Sequence, residues 1–311
     1  MNWHRALDVQ MDTLKWLREA QGSGFTYNFF SSLYHTDANE FNDQVFELVH
    51  RVQTTLWRAD TIFITTDMMH VLLQAAHDLP EDIVWDSHIL ISKLGFVLFE
   101  EPIDGVDRSD RQVTLHGLAW ENQRLAPTEE YPDGREVILL YYFTDPTDFN
   151  DDFNEEFMRQ LKGPPPPLMI AHFYPVTVGD TLPKVTITGS DIVVGILKLF
   201  VAMQMLAQQK IGAPIRLNPD RASRKRYARQ HPDGPERIIT LITLRRKSVK
   251  KDDEEPMKVE WSRRWIVRGH WRRQWYPSLK RHDWKYIYEC IKGPEDKPLV
   301  ITERRVFNFR R

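Results

Sequence analysis

Leu7, Met11, Leu14 and Leu17 recur at steps of four and three along the start of the chain, which predicts an amphipathic helix stopped by Gly22-Ser23-Gly24. A second apolar stripe, Phe41, Val45, Leu48, Val49, Val52 and Leu56, predicts a helix from about Glu40 to Arg58. A third helix follows Thr66, turns Met69, Leu72, Leu73 and Ala76 inward, and ends before Pro80, which cannot continue it cheaply. From about Ile89 the period shortens. The segments Ile89–Phe99, Gln112–Trp120 and Glu136–Phe143 read as strands of a meander, set apart by the turn-forming Asp104-Gly105 and Pro132-Asp133-Gly134.

Beyond these strands, the acidic run Asp145 to Glu156 begins a short helix, and Gly163 followed by Pro164 to Pro167 forces extended polyproline geometry that reads as a stiff connector. Asp191 to Gln209 is apolar on nearly every face. Lys198 and Gln204 interrupt it, so too few clean apolar residues remain for a membrane span, and it reads as a buried core helix capped by Ser190. The basic run Arg221 to Arg229, a strand Ile238–Leu244, and the later strands Val259–Arg268, Lys285–Ile291 and Leu299–Phe309 complete the chain. The expected class is α+β: a helical N-terminal region, mixed or antiparallel β segments and one buried central helix. The expected division is an acidic helical-plus-β region over 1–163 and, over 164–311, the buried helix followed by a basic, aromatic-rich β region.

Charge sharpens this division. The whole chain of 311 residues carries a formal net charge of only -2, yet residues 1–200 hold 14 Lys and Arg against 31 Asp and Glu, whereas residues 201–311 hold 28 against 13. The balances are therefore -17 and +15. Either the halves attract one another or the basic third is kept for an anionic partner. A lone Cys290 offers neither an internal disulfide nor a multi-cysteine metal site and fits a reducing compartment. Met1 to Gln10 mixes His4, Arg5 and Asp8 with apolar positions, unlike a secretory leader, so a cytoplasmic protein away from the membrane is expected.

Candidate chemistry concentrates in the basic third. Arg221, Arg224, Lys225, Arg226 and Arg229 place five cations in nine residues. In a helix, Arg221, Lys225 and Arg229 share one face at a spacing that can follow a phosphate backbone. Farther on, Arg264, Trp265, Trp271, Arg272, Arg273, Trp275 and Trp284 interleave bases with aromatics, the composition of a surface that stacks bases and neutralises phosphates, and equally of a small core with arginine stems. Trp275, beside Arg272, Arg273 and the Tyr276-Pro277-Ser278 turn, is expected to face solvent. DNA or RNA is the expected partner of these residues, and a protein partner, such as a host factor, is the alternative for the acidic region.

The enzyme alternative is a phosphodiester-cleaving protein or toxin, and it rests on His270 as general base beside Arg268 and Arg272. No paired acid is evident. Asp67 and His70 share a helical face without a third ligand, and Pro132-Asp133 and Pro232-Asp233 lack a Glu-x-Lys at nuclease spacing, so both read as turns. No Walker loop, dinucleotide-binding glycine fingerprint, nucleophile elbow or zinc-finger spacing occurs, and no metal or cofactor is expected. Binding rather than catalysis is the expected activity.

The segments Gly95 to Pro102, His116 to Trp120, Ile238 to Arg246, and above all Trp265 to Ser278 with Lys292 to Leu299 resemble a group of uncharacterised proteins of actinobacteria, their plasmids and their phages. The resemblance spans roughly residues 90–311. It is carried by the final Arg268-Gly269-His270-Trp271-Arg272-Arg273-Gln274-Trp275-Tyr276-Pro277-Ser278 block with its Lys-Gly-Pro-Glu-Asp-Lys-Pro-Leu partner at 292–299. It implies a mobile-element or host origin and assigns no activity to any position.

Overall fold

Helix α1 (Ala6–Ala20) forms where the four-and-three stripe lies, and Leu7, Met11, Leu14 and Leu17 are all buried. Helix α2 (Asn42–Arg58) buries Val49, Val52 and Leu56 in the same way. The computed structural model describes residues 1–20, 42–84, 87–106, 112–127, 132–148, 164–181, 191–209, 212–244 and 262–300. The expected Ser190 cap, the strand over 299–309 beyond residue 300 and most of the acidic run 145–156 lie outside them; residues 146–148 form a single 3-10 turn.

Seven strands build one mixed sheet in the order β5-β4-β3-β2-β1-β7-β6. They are β1 (Asp60–Ile64), β2 (Leu94–Val106), β3 (Gln112–Leu125), β4 (Arg135–Thr144), β5 (Met169–Thr177), β6 (Gly212–Leu217) and β7 (Ile239–Leu244). Strands β2 to β4 are the expected meander, antiparallel throughout, and β5, which was not expected, extends it; β2 starts only at Leu94, because Ser87–Ile89 winds into a 3-10 turn. Strand β1 runs parallel to both its neighbours, with Phe63 opposite Leu98 on one side and Leu241 on the other. Flanked by strands and covered on both faces, it buries Thr61 to Ile64 without a polar alternation, the pattern of parallel strands in general.

Helices cover both faces. Phe63, Phe96, Leu98, Ala119, Val137, Leu139, Tyr141 and Phe143 share one core with α1 and α2. The alternate residues face α3 (Thr66–His77) and α4 (Asp191–Ala207), which pack on each other, and Trp120 meets Phe200 of α4 edge-on with centroids 5.5 Å apart. Helix α4 is the expected buried helix: Leu197, Phe200, Val201, Ala202, Met203 and Leu206 are all inaccessible or nearly so. No helix among the described residues is long and apolar enough to cross a membrane. In α3, Leu73 is 40% exposed rather than inward, because Met68, Met69, Leu72 and Ala76 already fill the buried side.

Gly95 shows how tightly the sheet is filled. It pairs with Trp120, and a Cβ placed on it would lie 2.1 Å from the Trp120 ring. The indole is fully buried and donates its Nε1–H to the Ser92 carbonyl at 2.9 Å, so it cannot step aside.

The chain separates into two units, Met1–Leu244 and Arg245–Arg311. The division expected at residue 163 falls between β4 and β5, neighbours in the one sheet. The second unit pairs β9 (His270–Tyr276) with β10 (Arg281–Ile287) as an antiparallel hairpin, and β8 (Trp265–Val267) with β11 (Cys290–Lys292) as a second ladder.

Candidate nucleic-acid interface

Helix α5 (Arg221–Gln230) carries the basic run. Asp220 caps it, its Oδ1 accepting from the amides of Ala222 at 2.7 Å and Ser223 at 3.0 Å, and its Oδ2 from the Ser223 hydroxyl at 2.5 Å. The Ser223 bonds hold the Asp220 carboxyl below its ordinary range. Ser223 and Tyr227, four residues apart, are the buried side of the helix. Arg221, Arg224, Lys225 and Arg229 are exposed. Arg229 turns its Nε toward the Lys225 carbonyl of its own helix, at 3.2 Å, and none of the four pairs with an acid among the described residues. Arg226 does otherwise: its Nη2 lies 2.7 Å from Asp8 and 3.0 Å from Asp12, one turn apart on α1. The basic run is therefore divided, one cation tying the helix down and four left on its surface.

Beneath α5 lies a cluster that sequence reasoning misses. Tyr227 stacks on Trp57 with centroids 6.0 Å apart, and His231 closes against Trp57 at 4.4 Å and Tyr227 at 5.2 Å. The guanidinium of Arg237 lies over both rings, 5.5 Å from Trp57 and 5.3 Å from Tyr227. It donates Nε–H to the Tyr227 hydroxyl at 3.2 Å and Nη1–H to the Ala59 carbonyl at 2.8 Å. Arg237 is only 5% exposed, and its Nη2 is buried without a hydrogen-bond partner among the described residues. Arg18 approaches Trp57 as well, 5.3 Å from the ring centroid. Burial, followed by the charges of Arg18 and Arg237, pushes the His231 imidazole below its ordinary pKa. These residues come from three distant stretches of chain, Arg237 meeting Ala59 across 178 positions, so no local pattern announces them.

In the second unit, the β9–β10 register sets three pairs across one face. Trp271 lies opposite Tyr286, Arg273 opposite Trp284 and Trp275 opposite His282. Each pair is in contact: Trp271 and Tyr286 rings at 5.2 Å, the Arg273 guanidinium 5.5 Å over Trp284, and Trp275 and His282 at 5.0 Å. Burial falls along the face, from Trp271 at 9% exposed to Trp275 at 45%. Arg272 projects from the other face, its Nη2 donating to the Gln274 side chain at 2.5 Å. Arg264 is occupied locally: its amide donates to the Pro298 carbonyl and its Nε–H to the Lys297 carbonyl, both at 2.8 Å.

His270 opens β9, exposed, with Nδ1 3.0 Å from the Arg268 carbonyl and no carboxylate paired to it among the described residues. Asp67 serves the start of α3, accepting from the Met68 amide at 2.8 Å and from the Thr65 hydroxyl, and both Pro-Asp steps form turns. Among the described residues no three His, Cys, Asp or Glu side chains are grouped to hold a metal ion.

No protein family matches the chain, and no curated protein does. The chain is similar to the crystal structure of AcrVA2, at 14% identity and a TM-score of 0.41 over 92% of this chain and 93% of that one.

Proposed function

We propose that this chain is a nucleic-acid-binding accessory protein of a mobile genetic element or its actinobacterial host, working by binding rather than catalysis. The observation that supports this reading is the set of exposed cations on α5: Arg221, Arg224, Lys225 and Arg229 pair with no acid among the described residues, while Arg226 anchors the helix to α1. Like charges one helical turn apart repel, so holding them together favours an anionic partner. Arg221, Lys225 and Arg229 are spaced ~6 Å apart along the helix axis, a row that several backbone phosphates can meet together. Within the second unit, taken by itself, the hairpin carries Arg272, Arg273 and Trp275, and the surplus of +15 over residues 201–311 gives the long-range attraction. The resemblance of residues 265–299 to actinobacterial, plasmid and phage proteins supports the origin. His270, with a backbone carbonyl and no acid beside it among the described residues, lends the hydrolytic reading no geometry.

The test is binding to duplex and single strands over a salt series, for the natural chain and for Arg221→Ala/Lys225→Ala/Arg229→Ala. Each lost phosphate contact lowers the slope of log affinity on log salt by ~0.9 for duplex and ~0.7 for single strands, so the triple variant should lose ~2–3 in slope. Affinity should drop for every sequence alike, since such contacts position rather than specify. A salt-independent affinity, or an unchanged slope in a folded triple variant, overturns the proposal.

A further inference from the structure

We infer, resting on the nucleic-acid reading above, that the β9–β10 face is a stacking platform for unpaired bases, so that the second unit takes single strands in preference to duplex. The face changes character along its length. Its first pair, Trp271 and Tyr286, is core, at 9% and 4% exposed. Its last, Trp275 beside His282, leaves a tryptophan 45% exposed, and Arg273 next to it is exposed as well. A core does not need that outer tryptophan, whereas a base-binding surface uses an open indole face.

Spacing selects the kind of strand. Successive residues on one face of a strand stand ~6.8 Å apart, twice the ~3.4 Å rise. The Trp275 and Trp284 pairs are neighbouring steps of this kind on the hairpin. Bases stacked in a duplex are ~3.4 Å apart, so two neighbours cannot both meet these rings unless the strand is unstacked. An extended single strand makes that separation without opening a helix. Arg273 lies over Trp284 on the same face as Trp275, placing a cation within the platform for the backbone. Within His270 to Ile287 five Lys and Arg face a single acid, Asp283, which Arg281 already engages at 3.0 Å. Stacking tolerates any base, so the binding is expected to be broad in sequence.

The experiment uses the full chain with a short oligothymidine strand, the same strand made abasic, and a duplex of equal length, and compares Trp275→Leu and Trp275→Phe with the natural protein. Trp275→Leu should weaken single-strand binding roughly 5- to 150-fold. It should leave duplex binding, abasic-strand binding and the melting temperature unchanged, and Trp275→Phe should keep most of the affinity. An unchanged affinity for oligothymidine in Trp275→Leu, or an equal loss on the abasic strand and the duplex, overturns the inference. So does a large fall in melting temperature, which would make the indole a packing residue. If duplex binding responds to the α5 triple variant while Trp275→Leu changes nothing, only this inference falls. If the natural chain binds neither strand at low salt, the nucleic-acid reading falls with it.

Discussion

Removing one hydroxyl from beneath the basic helix should cost more than removing the buried charge it serves. In Tyr227→Phe, the Arg237 Nε–H loses its acceptor at 3.2 Å, in a guanidinium whose Nη2 is already unpartnered, so one bond to Ala59 remains. Leaving a buried charged donor unsatisfied costs ~1–3 kcal/mol. In Arg237→Met the same bonds vanish, but the Ala59 carbonyl still receives Gln10 Nε2–H at 3.0 Å, so only the neutral Tyr227 hydroxyl loses its donor, and the double variant removes that hydroxyl too. The desolvation of a charge that is 5% exposed is relieved at the same time, offsetting the lost cation–π contacts. Arg237→Met should therefore cost less than ~1.5 kcal/mol, and the double variant no more than Arg237→Met alone, a coupling of ~1–3 kcal/mol between the two side chains. For a unit of this size each kcal/mol moves the melting temperature by ~2–4 °C. Urea titrations of the two single variants and the double variant supply the cycle. If Arg237→Met is the most damaging of the three, the guanidinium is worth more than these contacts and the reasoning is wrong.

Two further outcomes follow from the same geometry. Gly95→Ala drives a methyl into the fixed Trp120 ring and should destabilise by ~1–3 kcal/mol or more, largely relieved in Gly95→Ala/Trp120→Leu relative to Trp120→Leu alone; equal urea midpoints for Gly95→Ala and the natural chain would refute the packing. His231, whose folded pKa lies below its unfolded value, favours the fold while neutral, so its contribution is present above about pH 6.5 and lost as pH falls below that; urea midpoints at pH 8 and pH 5.5 should differ more in the natural chain than in His231→Gln.

The three N-terminal helices and the central helix were legible because their stripes repeat on one face or on all faces. The meander was legible from its alternation and turns. Strand β1 was not: five residues between two helices, apolar on both faces, carry no period, and only the parallel partners at Leu98 and Leu241 make them a strand. Strands β5 and β6 escaped for related reasons, Pro175 and Pro214 arguing against extended pairing although both strands sit at sheet edges, where proline is tolerated. The exposed cations of α5 could be read from spacing, and an outward Trp275 from Arg272, Arg273 and the turn beside it. That Arg226 alone turns to Asp8 and Asp12 could not, since it depends on how α1 and α5 meet.

The placement of β1 between β2 and β7 has a consequence for synthesis. Thr65, directly after β1, donates its amide N–H to the Ile242 carbonyl at 3.3 Å, 177 residues later. At ~5–20 residues per second, roughly 10–35 s pass on the ribosome between the emergence of the two. During that interval the meander can pair with β1 on one side, but the other edge of β1 stays open, apolar and unbonded, a template for any passing strand. A nascent chain halted before Leu244 would carry that edge indefinitely, so truncation there should yield aggregates rather than a smaller soluble domain.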